Sequence, residues 1–167
     1  MIEMIYIALS TLFIILSAIS EAVMDKLQFH WSKTVFAINP DRYNPKFWNP
    51  EVSWKNKYKY IETLEPLEPK FIGSTTLFVF TTDAWHLFKF FKNTSIFLAI
   101  FFALLICKNL LFTTFFIFIL RIVFGLVFTI FYDKLLEFND VLGIAGKKNK
   151  PSNEIVSDWM DNVNKNK

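Results

Sequence analysis

The stretch LFVFTTDAWHLFKFFKNTSIFLAIFFALLICKNLLFTTFFIFILRIVFGLVFTIFY, residues Leu77–Tyr132, decides how many times the chain crosses a bilayer. It is far too long for one crossing, because about 20 residues of helix span a hydrocarbon core near 30 Å. Its polar interruptions are Asp83, His86, Lys89, Lys92, Lys108 and Arg121, and they allow two readings. In the first, a helix capped by Ser74 or Thr75 after Gly73 runs through Cys107, Lys108 and Asn109 turn the chain, and Leu110 to Tyr132 returns. In the second, Phe71 to Phe88 spans alone, Lys89 to Thr94 is a hairpin, and Ser95 to Cys107 forms a separate span. A helix from Ser95 to Cys107 would reach only about 20 Å, well short of the core. Length therefore favours the first reading.

Upstream, Ile2 to Ser20 makes a helix of about 28 Å with one charge, Glu3, at its start. It lacks a basic leader region, and Glu21 and Asp25 follow it in place of a small-residue cleavage site, so it reads as a retained span. The expected architecture is an all-α polytopic membrane protein of three transmembrane helices, with four as the alternative. Its segments are helix 1 (1–25), a Pro-, aromatic- and Lys-rich loop (26–73), helix 2 (74–107), helix 3 (110–134) and a polar tail (135–167). Three spans put loop and tail on one side, with Lys26, Lys33, Arg42, Lys46, Lys55, Lys57, Lys59 and Lys70, then Lys147, Lys148 and Lys150. The opposite side offers only Lys108, so the positive-inside bias places loop and tail in the cytoplasm and the N-terminus outside. Lys89 and Lys92 are expected to snorkel from helix 2 to the headgroups.

Composition agrees with that architecture: the 167 residues are 53% hydrophobic and include 21 Phe, gathered in the spans. The single cysteine, Cys107, excludes an internal disulfide and a thiolate zinc cluster. A net charge of +3 gives no reason to expect a nucleic-acid partner. Five of the six prolines, Pro40, Pro45, Pro50, Pro66 and Pro69, fall in the loop and rule out long helices there. The loop aromatics Tyr43, Phe47, Trp48, Trp54, Tyr58 and Tyr60 are expected to anchor at the headgroup zone of the bilayer. Glu62, Glu65 and Glu68 read as a solvated connector, and Asn153 to Val163 as either a short amphipathic helix or a disordered end.

The chemistry-bearing residues gather near one membrane face. Ser10, Ser17, Glu21 and Asp25 form a stripe on helix 1, with His30 just past its end, while Asp83 and His86 stand at i and i+3 near the start of helix 2. In a three-span topology both groups share a leaflet. Asp25, His30, Asp83 and His86 are thus a candidate ligand set for a divalent metal such as zinc or manganese, with Glu21 as a base beside it, suited to metal-assisted hydrolysis. The same side chains could relay protons. A bland alternative has Asp83 capping a helix and Glu21 and Asp25 paired with Lys26 or Lys89. No HExxH, nucleophile elbow or glycine-rich phosphate loop accompanies the set. Arg121, near the middle of helix 3, needs an acid such as Glu21 or Asp83 or a subunit contact. Ala18/Ala22 and Ala99/Ala103 have the spacing of close helix approach, which makes a homo-oligomer or a larger membrane complex a conceivable partner besides the lipid bilayer.

The motifs Asp25-Lys-Leu-Gln-Phe-His30, Phe47-Trp-Asn-Pro50 leading to Ser53-Trp-Lys-Asn-Lys-Tyr-Lys59, and Gly73-Ser-Thr-Thr76 leading to Thr82-Asp-Ala-Trp-His86 resemble an uncharacterised family of small membrane proteins of bacteria and their phages. The resemblance covers roughly residues 20 to 90 and carries no activity. It implies a multi-pass protein of the bacterial inner membrane, or of a virion or host membrane if phage-encoded. It also implies that Ser53, Trp54, Asn56 and Lys57 belong with the Asp/His group. The competing functional class is a non-catalytic membrane subunit: a scaffold, a virion-membrane component or part of a small pore.

Overall fold

A computed structural model describes residues 1–59, 68–106 and 110–137. Among these residues the regular structure is helical, and three helices are long and apolar enough to cross a membrane. The first, α1, covers Ile2–Phe29, and its 28 residues make a rod of about 42 Å. That exceeds the core by roughly 12 Å. The surplus carries Asp25 and Gln28 toward the loop-bearing face and takes the helix past its expected end at residue 25. At His30 the backbone leaves the helix (φ −139°, ψ 32°).

Four-residue helices α2 (Val35–Ile38), α3 (Pro45–Trp48) and α4 (Pro50–Ser53) follow, then a 3-10 turn at Trp54–Lys57. Thr34 caps α2, its Oγ1 accepting from Ala37 N–H at 3.2 Å, and Asn-Pro pairs start α3 and α4. Asn44 Oδ1 accepts from Lys46 N–H and Asn49 Oδ1 from Glu51 N–H, both at 3.0 Å, while Pro45 and Pro50 preset the first helical residue.

The second spanning helix, α5, runs Ala84–Ile106, starting nine residues later than a cap at Ser74 would place it. Two competing caps explain the difference. The Ser74 hydroxyl donates to Lys57 C=O at 2.7 Å, and Gly73 takes a positive φ of 83° in a turn closed by Phe78 N–H onto Gly73 C=O at 2.8 Å. Asp83 then accepts the His86 N–H at 2.9 Å and opens the helix. The 23 residues that remain measure about 35 Å, a better match to a bilayer than the longer version. The third, α6, covers Leu110–Ile130 and ends in a π turn at Phe131–Leu135.

Helix α1 packs most extensively on α5, antiparallel, as Ser10 Oγ donates to Ala99 C=O (2.9 Å), Lys92 meets Glu21 (2.5 Å) and Trp85 Nε1 donates to Gln28 (3.2 Å). Small residues permit the approach: Ala18, Ala22, Ala99 and Ala103 are all buried. The spacing that hinted at an oligomer is thus used within the chain.

At the loop-bearing end, Ala22, Val23, Leu27, Phe36, Ala84 and Leu136 form a core. Tyr43, Phe47 and Trp48, expected as lipid anchors, turn inward onto it, with Trp48 stacked on Phe36 at 4.4 Å and 6.0 Å from Phe88. Their amphipathic rings suit a protein core as well as a headgroup layer, and the pocket under α2 takes them. Trp54 remains exposed, while Tyr60, the connector acids Glu62 and Glu65, Cys107, Lys108 and the tail from Phe138 lie outside the described residues. The end of α6 is tied to the loop. Val35 N–H donates to Leu136 C=O at 3.2 Å, and buried Lys26 reaches Glu137 at 2.9 Å with its ammonium 4.1 Å from the Tyr132 ring centre.

Candidate functional site

The N-terminus of α5 builds the site. Asp83, 2% exposed, caps the helix with Oδ1. The same carboxylate grips the imidazole one turn later, with His86 Nδ1 at 2.9 Å from Oδ1 and 2.7 Å from Oδ2. One residue thus starts the helix and orients its histidine, which is the consequence of placing Asp and His at i and i+3 across a helix start. Thr82 Oγ1 lies 2.7 Å from Val79 C=O and 3.2 Å from Asp83 Oδ2, and its single proton serves the nearer acceptor.

The loop holds this turn in place. Both amide hydrogens of Asn56 are used, one on Lys46 C=O at 2.5 Å and the other on Thr82 C=O at 2.9 Å, the carbonyl just before Asp83. Lys57 contributes its carbonyl to Ser74 and lays its ammonium over the Tyr58 ring. Ser53, 2% exposed, lines a cleft of about 230 Å³ together with Gln28, Pro50, Trp54, Asp83, Trp85 and His86. The grouping of Ser53, Trp54 and Asn56 with the Asp/His pair is therefore present in space, and Lys57 joins it through its backbone only.

With Nδ1 donating to Asp83, a neutral His86 keeps its Nε2 lone pair free to accept a proton. The two contacts from Asp83 to Nδ1 fix the orientation of the ring, so that Nε2 is the nitrogen left for a proton transfer. The walls of the cleft, Pro50, Trp54 and Trp85, are apolar surfaces that hold hydrocarbon or aromatic groups.

The remaining residues singled out in the sequence stand elsewhere. Glu21 faces Lys92, not Lys26 or Lys89, and the contact is one of charges without hydrogen-bond alignment. Asp25, one turn on, interacts with Glu21 and Lys92. Lys89 lies over the Trp85 ring at 4.8 Å. His30 sits edge-on to Tyr132 at 5.9 Å and opens on a separate hollow of about 390 Å³ with Trp31, Ser32, Lys33 and Glu51. Gln28 borders both hollows, so the two histidines do share a membrane face, but they do not face each other. Among the described residues no group of three or more His, Cys, Asp or Glu side chains is arranged to hold a metal ion. The set Asp25, His30, Asp83 and His86 is not assembled as one site, because carrying α1 to Phe29 moves His30 onto Tyr132 and leaves Asp25 beside Glu21. Arg121 meets neither Glu21 nor Asp83.

Two contributors were missed in the sequence: Gln28 and Trp85, which bond across the mouth of the cleft. Their signal would have been visible had α1 been extended two turns past Glu21, since the antiparallel pairing of α1 with α5 then puts Gln28 opposite Trp85. No protein-family model, curated protein or solved structure matches this chain, so the likeness to small bacterial and phage membrane proteins rests on the motifs of residues 20 to 90 alone.

Proposed function

We propose that this three-span membrane protein performs acid–base chemistry at its loop-bearing face, with His86 as proton acceptor and donor and Asp83 as the residue that positions it. The observation that supports this reading is the two-point grip of a buried carboxylate on Nδ1 of a histidine whose ring lines a cleft. Hydrolysis of an ester or a related acyl compound suits the arrangement. Nε2 takes the proton of an attacking water, Asp83 holds the ring in place through Nδ1, and the proton then passes to the leaving oxygen. Apolar walls beside a bilayer favour a substrate with an acyl chain or aromatic group. The lysine-rich loop supports a cytoplasmic position for this face at the inner membrane of a bacterium, or at a virion or host membrane for a phage-borne copy.

The test is hydrolysis of a medium-chain p-nitrophenyl ester by the full chain in phosphatidylcholine vesicles. His86→Gln should lower the rate by about 10²- to 10⁴-fold, the usual worth of a positioned acid–base group. Asp83→Asn still caps α5 and should lower activity without unfolding, whereas Asp83→Ala should also cost about 1 kcal/mol of stability. Unchanged hydrolysis in His86→Gln, or none in the wild type, leaves Asp83 as a helix cap in a non-catalytic subunit. Zinc and manganese are measured in the same preparation. Stoichiometric metal that is lost in His86→Gln would replace this metal-free form with metal-assisted hydrolysis.

A further inference from the structure

Helix α6 presents its packed side through Phe116 and Leu120, which close on Ala103, Ile106 and the α1 residues Tyr6, Ile7 and Ile14. One residue on, a rotation of about 100° turns Arg121 away from that contact, and its side chain is exposed. The apolar helix extends over Leu111–Leu135, so Arg121 lies about 15 Å from one end and about 21 Å from the other. That is the middle of a core near 30 Å, out of snorkelling reach of either headgroup layer. A lone guanidinium in that position is expensive.

Nothing among the described residues neutralises it. Glu21 faces Lys92, Asp83 holds His86 and Glu137 holds Lys26. The guanidinium instead lies 5.7 Å from the Phe124 ring centre and folds over Gly125, where a Cβ would come within 3.5 Å of its Nη1. A glycine inside a helix costs stability relative to alanine, and here it leaves bare backbone beside the charge. Ile117, Phe118 and Ile122 around it are exposed as well. The result is a flat apolar patch with one positive charge at its centre.

We infer that this face of α6 docks a transmembrane helix of another protein that carries an aspartate or glutamate at mid-bilayer depth. The charge requires an anion, and the glycine lets a second backbone approach closely enough for a side-chain carboxylate to reach the guanidinium. A second copy of this chain does not fit. Lys26 of α1 is level with Tyr132, so at the same rise per residue the level of Arg121 falls near residue 15 of α1. Glu21 sits about 9 Å closer to the loop-bearing face and is engaged with Lys92.

The experiment places the full chain in phosphatidylcholine vesicles with leucine/alanine transmembrane peptides that have Asp, Asn or Leu at the centre, and reads association by fluorescence energy transfer. The Asp peptide should bind about ten-fold more tightly than the Leu peptide, and Arg121→Leu should abolish the difference. Gly125→Leu should weaken binding with the charge still present. Arg121→Leu points to lipid and leaves the loop core untouched, so its Trp fluorescence should match the wild type. Equal binding of the Asp and Leu peptides, equal binding of the Asn and Asp peptides, or self-association of the wild type that Arg121→Leu removes would each overturn the proposal.

Discussion

At the loop-bearing end of the helices, Ala22, Val23, Leu27, Ala84 and Leu136 are packed against Phe36, Tyr43, Phe47 and Trp48. At the other end Ala103, Ile106, Phe116 and Leu120 close on three residues of α1, Tyr6, Ile7 and Ile14. The first end is assembled as a soluble core is, by removing aromatic surface from water. The second has lipid as its alternative neighbour, and hydrocarbon chains are as apolar as the side chains they touch, so packing there gains far less. The cleft of Asp83 and His86 lies at the first end.

The sharpest way to break this contrast is a matched truncation. Phe36→Ala should destabilise the detergent-solubilised protein by about 3 to 5 kcal/mol, whereas Phe116→Ala should cost distinctly less because lipid or detergent tails fill the void. Equal losses in thermal unfolding would show that the two ends are held by the same forces. A smaller effect concerns the tie between loop and α6. The hydrogen bond from Lys26, then its charge, hold the Glu137 carboxyl below the usual glutamate value, with lesser help from Lys33 and His30. A lowered folded value means that the tie stabilises fully above the ordinary value of about 4.3 and is lost as pH falls through the depressed one. The stability gap between wild type and Glu137→Gln should therefore shrink under acid. A gap independent of pH would remove Glu137 from the account.

The smallest effect separates two serines on one stripe. Ser10→Ala loses a bond to Ala99 C=O and should cost about 0.6 kcal/mol. The Ser17 hydroxyl is buried without a hydrogen-bond partner among the described residues, so Ser17→Ala should be neutral or slightly stabilising. A larger loss at Ser17 than at Ser10 would mean that the stripe has a polar role beyond packing.

The three spans were legible because run length and charge are read directly from the chain. The Asp83/His86 pair was legible too, since a spacing of three on a helix fixes two side chains on one face whatever surrounds it. The start of α5 was not. Ser74 and Asp83 are both good caps, and the choice is made by Lys57 and Asn56, which reach the segment from the loop. The loop aromatics were misplaced for a related reason: composition says that Tyr43 and Trp48 leave water, not whether lipid or Phe36 receives them. The Lys26–Glu137 pair bridges 111 positions and had no local signal at all.

The bridge between Thr34 and Glu137, with Val35 bonded to Leu136, also sets an order of assembly. Residues around Thr34 leave the ribosome long before their partners on the far side of α6 are made. At roughly 5 to 20 residues per second, the early loop waits on the order of ten seconds with its aromatic rings uncovered. During biogenesis that loop is the segment most open to chaperones, proteases and lipid, and insertion of the last helix is the event that ends its exposure.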